Sequence, residues 1–560
     1  MLVGVIVDLS VWGLNKELTY SVPPDLVARV RIGSIVRVAL RNRRVRGWVV
    51  GVDPDGEPQE GISPIAAVSG RGPVFDAALL EMSKILARRY VSPLSSFLSL
   101  FTPARLGRRG PLWPEVPAPD RRAADRVLWR LRPGEDPLER YAELIGQELE
   151  AGRGVILAVP EVREGSRVLG ALAGRFPDDA AVVHSGIDPA DRSKGLWEVA
   201  SGRRRLVLGG RAALFAPAFP LGAIVLHQEH DPSFKEQQSP YYDARVAAEA
   251  RAAVTGARLV AASATPSLNP AYWPDIDSGL PIRAADVWRI DETDRLNERA
   301  AWPATEVVQP PRRGLPQRAI ACILDARRRG ERSIVLLPRV QATASGPGPT
   351  ELISFLSKVV PGARVARADR PGLGSDPGAL QSALNADVVL ATEAGLADVP
   401  RPAVSVAIAL GVDGYFSKPK GRAAEDAMAA LWALAGLVGG RRPKGRLILE
   451  VHTGEHHGIE ALVRGDYKFF VRKELEARRE SDAPPYKSMV RLQTPDPSSE
   501  LMDGLRSLPA TRVLGPVTGG NLGYEILLKV AALETILEPL GTIVSTAPQR
   551  ILVEVDPKDW

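Results

Sequence analysis

At 560 residues, with 45% hydrophobic and 25% charged content, the chain is too long for one core and apolar enough to build several. No run approaches the roughly 20 apolar residues of a membrane span, Asp8 interrupts the first apolar run where a secretory leader would continue, and the single cysteine, Cys322, excludes a disulfide framework and a cysteine-built zinc module. The net charge of +6 is concentrated: Arg29, Arg31, Arg37, Arg41, Arg43, Arg44 and Arg46 follow one another with no carboxylate between them, which marks a polyanion-binding surface more than a merely solvated hairpin.

In chain order, residues 1–105 open with β-type patterning at Val3–Leu9, Ile35–Leu40 and Val45–Val52, the last two joined through the Arg41–Arg44 turn. A helix is predicted at Ala77–Tyr90, giving a small β-rich unit with a basic hairpin tip. The five prolines between Thr102 and Asp120 read as a linker, and residues 106–130 are assigned to it. Residues 131–288 then alternate a helix at Leu138–Glu150 with short apolar strands at Val155–Val159, Ala181–His184, Arg205–Leu208, Ala223–Leu226 and Leu259–Ala262. Such alternation predicts a parallel sheet covered by helices. Trp302–Pro316 is a second Pro-rich joint. Residues 289–455 repeat the α/β pattern at Ile334–Leu337, Asp387–Ala391, Val404–Leu410 and Arg446–Val451. Residues 456–560 read as an α+β unit with strands near Met489–Leu492, Tyr524–Val530 and Ile551–Val555. The expected fold class is multidomain α/β, and two tandem parallel-sheet lobes with a basic surface suggest a nucleic-acid motor.

Seven short blocks occur in order along the chain. They are Val159-Pro160-Glu161; His184-Ser185-Gly186 with Asp191-Arg192; Gly210-Arg211-Ala212-Ala213-Leu214-Phe215; Ser263-Ala264-Thr265-Pro266; Gly346-Pro347-Gly348; Val412-Asp413-Gly414; and Leu514-Gly515-Pro516-Val517. In this register the chain resembles the PriA replication-restart helicases of superfamily 2. The resemblance implies an N-terminal domain that captures DNA 3′ ends, two RecA-like lobes and a C-terminal domain. It also implies action on stalled or branched forks in the cytoplasm, with primosome proteins, the replicative helicase and single-strand-binding protein as partners.

The departures from that family bear on chemistry. A phosphate-cradling loop needs glycines, a lysine and a metal-holding hydroxyl; Pro137 stands at the lysine position and Leu138 at the Ser/Thr position, after Glu135 and Asp136. The family's Asp-Glu-Glu-His motif reads His227-Gln228-Glu229-His230, so the metal-side carboxylate and the one that polarises water are both replaced. Leu437 and Gly440 take the places of two arginines that would offset transition-state charge. The paired cysteines that hold zinc in the family are absent between Pro338 and Gly346. No catalytic residue, cofactor, zinc or other metal is therefore expected, and ATP binding is put in doubt.

For DNA, the candidates are Tyr20, Arg37, Arg41, Arg43, Arg44 and Arg46 in the first domain, with Phe234, Lys235, Tyr241 and Arg245 from a segment that resembles the family's aromatic-rich loop. That loop packing on a neighbouring lobe is an equal alternative. Tyr20 is what remains of the family's Phe-Asp-Tyr pocket, here Leu18-Thr19-Tyr20. The histidines at 227 and 230, and the cluster His452, Glu455, His456 and His457, read as structural rather than metal-binding. The expected function is a non-hydrolysing, fork-binding replication-restart protein. The alternatives are an ATP-dependent 3′–5′ helicase with an unorthodox nucleotide site and a protein-only scaffold.

Overall fold

The computed structural model describes residues 1–560 apart from 10–11, 13–14, 42, 57–60, 71, 103–124, 162–166, 185, 219, 281–286, 293–301, 339–348, 369–384, 393–403, 419–420, 439–444 and 560. The valines of β1 (Leu2–Val7) bury both faces of that strand. It is the second strand of an antiparallel sheet with β2 (Leu18–Ser21), β3 (Ile35–Leu40), β4 (Arg43–Asp53) and β5 (Ala67–Ser69), in the order β2-β1-β4-β3-β5. The Ala77–Arg89 helix, N-capped by Asp76 through Leu79 N at 2.8 Å, closes this domain against the rest of the chain.

The next sheet runs β12-β6-β11-β10-β7-β9-β8 and is parallel throughout: β6 (Arg126–Arg130), β7 (Gly154–Ala158), β8 (Ala180–Val183), β9 (Leu206–Gly209), β10 (Leu221–His227), β11 (Arg258–Ser263) and β12 (Arg289–Glu292). Helices cover both its faces, which is why β7 and β9 are buried at every position. Two predicted boundaries need correcting. β6 lies inside the assigned linker, and β12 lies beyond residue 288, yet both pair into this first lobe. Residues 106–124 of the assigned linker lie outside the described residues.

The second lobe is a parallel sheet in the order β13-β18-β17-β14-β16-β15, built from β13 (Ala304–Val308), β14 (Arg332–Leu336), β15 (Val365–Ala368), β16 (Val388–Ala391), β17 (Val404–Ala409) and β18 (Arg446–Glu450). The Pro-rich joint thus contains a strand, β13, paired along its length with β18. The C-terminal sheet is antiparallel, β20-β21-β19-β22, from β19 (Ser488–Thr494), β20 (Thr511–Gly519), β21 (Gly523–Val530) and β22 (Leu552–Val555).

The helices His457–Arg464 and Tyr467–Glu480, predicted with the C-terminal unit, pack on the lobes. Trp302 Nε1 donates to Leu462 O at 2.8 Å, and the Tyr467 ring stands 5.3 Å from that of Trp432. None of the helices among the described residues is long and apolar enough to cross a membrane.

Candidate nucleic-acid interface and the cleft between the lobes

The β3–β4 hairpin sorts its arginines by face. Arg37 lies directly opposite Arg46, and Ala39 opposite Arg44, so Arg37, Arg44 and Arg46 share one face of the two-stranded ribbon. Val38 and Val45 face the other way, into the domain core, and Arg43 extends that face past its apolar end, opposite Leu40. Arg41 makes the turn with φ of 52°, in the left-handed region. Like charges directly across a ladder repel, and the first domain offsets one of them: Arg46 Nε donates to Asp8 Oδ2 at 2.6 Å, with its guanidinium 6.0 Å from the Trp48 ring centre. Arg37, Arg41, Arg43 and Arg44 are exposed and have no ion-pair partner among the described residues. Arg29 instead spends its guanidinium on the carbonyls of Val68 and Gly70 at 3.4 and 3.3 Å.

Tyr20, a candidate DNA contact in the sequence, lies in the core of the first domain. It is 5% exposed and its hydroxyl donates to Ala39 O at 2.9 Å, which ties β2 to the arginine hairpin close to its turn. A different residue, missed in the sequence, brings a carboxylate to this sheet. Exposed Glu17 lies over Gly4 of β1 and Gly51 of β4, where a side chain at either glycine would collide with its carboxylate. The signal was faint: two glycines at strand positions where glycine weakens a sheet unless another group comes close.

In the segment from Phe234 to Arg245, the ends are packed while Gln237, Gln238 and Ser239 are exposed. Phe234 is fully buried, and Lys235 is 3% exposed with its ammonium donating to Val555 O and 5.3 Å from the Tyr90 ring. Arg245 pairs with Asp243 at 2.6 Å, and Asp243 N donates to Tyr90 Oη at 2.9 Å. Burial alone would raise the Asp243 carboxyl, but Arg245 outweighs it and holds it well below the usual range. Lys235 and Asp243 thus join lobe 1 to the N-terminal and C-terminal domains, while Tyr241, half-buried with φ of 51°, follows the exposed Gln237 and Gln238.

The residues at the replaced nucleotide-motif positions pack against other side chains of the first lobe. Pro137 is buried at the start of the Leu138–Glu150 helix, and Leu138 packs on the lobe 1 core. One turn further on, Tyr141 is fully buried, stacked on Trp129 at 5.9 Å, with its hydroxyl 2.8 Å from His227 Nδ1. Gln228 is exposed with φ of 53°. Glu229 is fully buried and accepts from Ser267 Oγ at 2.5 Å and Ser267 N at 3.1 Å; His230 Nδ1 lies 2.7 Å from Ser263 Oγ. Burial raises the Glu229 carboxyl and pushes the His230 imidazole down to about 4, so these two act as internal struts. Leu437 is half-buried against the core; Gly440 lies outside the described residues, as do Gly346-Pro347-Gly348 and the segment from Arg339 where the family carries its cysteines.

His456, His457 and Glu474 bring three possible ligand atoms within 4.8 Å of one another. The hydrogen bonds favour a cap over a metal. His456 Nδ1 accepts from Gly458 N at 3.0 Å at the start of the His457–Arg464 helix, which places the ring proton on Nε2 and leaves no lone pair there for an ion. Glu474 is shared between His457 Nε2 and Arg478 Nε, each at 2.9 Å. His452 N donates to Asp413 Oδ2 at 2.6 Å, a loop closure, while Glu455 is exposed.

With this geometry in place, the likeness to known proteins can be read. Residues 4–103 match the PriA_3primeBD family, described as 3'DNA-binding domain (3'BD). The Bacillus subtilis (strain 168) replication restart protein PriA is 26% identical over 411 residues, covering 63% of this chain and 51% of its own length. The Synechocystis protein of the same name is 23% identical over 510 residues, covering 76% of this chain and 61% of its own. The probable replication restart protein PriA of Mycobacterium tuberculosis (strain ATCC 25618 / H37Rv) is 26% identical over 566 residues, with 87% and 86% covered. The chain thus spans 51% to 61% of the first two relatives and most of the third. A solved structure of RecG bound to three-way DNA junction overlaps 65% of this chain and 44% of its own at 17% identity and a TM-score of 0.38. The chain is thus similar to the PriA replication restart proteins, and its residues 4–103 match the family described as 3'DNA-binding domain (3'BD).

Proposed function

We propose that the protein binds stalled or branched replication-fork DNA and serves replication restart as a recognition and assembly platform without hydrolysing ATP. The observation that carries this reading is the set of unpaired arginines, Arg37, Arg41, Arg43 and Arg44, on a hairpin of the domain that matches the 3′ DNA-binding family. Guanidinium groups on a narrow ribbon neutralise phosphates without reading bases, so affinity comes from counterion release and falls steeply with salt. Glu17, over the glycine shelf of the same sheet, supplies an acceptor for a terminal sugar hydroxyl in place of the carboxylate that the Leu18-Thr19-Tyr20 segment lacks. Primosome proteins, the replicative helicase and single-strand-binding protein are the partners this role requires.

The non-hydrolysing part of the proposal is supported by the residues that line the cleft. His227, at the motif's metal-side position, is hydrogen-bonded to Tyr141 at 2.8 Å, Pro137 and Leu138 offer neither ammonium nor hydroxyl, and Gln228 cannot take a proton from water. A fork-shaped DNA with a free 3′ end, titrated in a gel shift from low to high salt, tests the binding. Retardation at low salt that weakens linearly on a log–log plot is expected; absence of any shift at low salt refutes the proposal.

A further inference from the structure

The turn that stands in for the phosphate loop touches the second lobe directly. Gly134, with φ of 77°, meets Gly436 of the Ala423–Val438 helix, and a Cβ added at Gly436 would stand 2.5 Å from Gly134 N. Gly436 lies in the last turn of this alanine- and leucine-rich helix, where the lack of a side chain admits the backbone of Gly134. No phosphate fits between two backbones in contact.

The same interface is fastened at three further places. Tyr467 Oη donates to Pro266 O at 3.0 Å from a fully buried position. Leu268 N donates to Glu425 Oε2 at 3.3 Å, and that carboxylate is itself held by Arg422 at 3.2 Å and Arg478 at 3.0 Å. Lys468 Nζ pairs with Asp275 at 2.9 Å. Behind these bonds runs an aromatic row: Trp273 to Tyr467 at 5.9 Å, Tyr467 to Trp432 at 5.3 Å, Trp432 to Trp302 at 4.2 Å. Separating the lobes would expose the facing rings of Trp273 and Tyr467 and strand buried polar atoms, both unfavourable.

We infer that the lobes are locked in one relative position by their own contacts, so that the cleft does not open and close with nucleotide. This goes beyond the DNA-binding reading and stands without it. The test is a sign. In a free helix Gly→Ala stabilises, and Gly146 on the Leu138–Glu150 helix, with nothing within 4 Å of its added Cβ, is the control. Gly146→Ala should melt higher than the native chain, and Gly436→Ala should melt lower by roughly 2–4 °C, with faster amide exchange at residues 131–136 and 432–438 together. Mg-ATP added to the native chain should leave exchange in both segments unchanged. If Gly436→Ala melts higher, as the control does, or if Mg-ATP alters exchange on both sides of the cleft, the lock does not exist. The nucleotide arm uses the native chain, so it decides even where the variant fails to fold.

Discussion

Arg44 and Arg46 point from the same face of one strand, yet their surroundings make them unequal. Arg46 is engaged by Asp8 and lies beside Trp48, whereas Arg44 is exposed with no partner among the described residues. Arg44→Glu should weaken fork binding and lower the slope of log affinity against log salt by about 0.7–0.9 per lost phosphate contact. Arg46→Ala should change the slope less; equal slopes for both would mean the Asp8 pair does not withhold Arg46 from DNA. Residue type and charge clustering were readable in the sequence here, but burial was not. Tyr20, Phe234, Lys235 and Arg245 have the chemistry of DNA contacts, and packing alone withdraws them.

A pH dependence also belongs at this scale. Burial lowers the His456 imidazole from 6.5 to about 4, with the neighbouring His457 acting in the same direction. Below about pH 6.5 the unfolded chain takes up a proton that the folded chain refuses, so stability falls as pH drops from about 6.5 toward about 4. His456→Asn keeps an N-cap acceptor for Gly458 N without a titrating ring. Urea midpoints at pH 7 and pH 5 should draw closer together in the variant; an unchanged gap would place the acid sensitivity elsewhere.

Among elements, the strands with several apolar residues in a run were the legible ones. Ile35–Leu40 and the Leu138–Glu150 helix appear with the predicted bounds, because valine alternation and helical periodicity are local signals. β6, β12 and β13 were missed because Arg126–Arg130, Arg289–Glu292 and Ala304–Val308 carry charge or border prolines, and their place is fixed by partners distant in sequence. The Tyr467–Glu480 helix was placed with the wrong domain for the same reason: its apolar face meets Trp432 and Trp273 on the lobes. Trp432 is 1% exposed in the middle of that aromatic row. Trp432→Ala should cost about 3–5 kcal/mol in urea unfolding of the lobes; a loss below about 1 kcal/mol would show that the row contributes little to holding them.

For the whole molecule, an arginine-bearing N-terminal sheet, two parallel-sheet lobes and a C-terminal sheet are tied together at Lys235, Tyr90 and Val555 and across the cleft at Tyr467 and Glu425. Interdomain contacts of this kind leave no pattern in the sequence, whereas the replaced motif residues at 137, 138, 227, 228 and 437 are plain in it. Together they are the grounds for the proposed fork binder that does not cycle with nucleotide. The direct measurement is phosphate release from Mg-ATP recorded on the same samples in which fork DNA is titrated. Fork DNA should be bound at low salt while phosphate release stays at the protein-free rate at every DNA concentration. Release that rises with bound fork DNA, and disappears on Glu229→Ala in a variant that still folds and binds, would contradict the reading of a non-hydrolysing fork binder.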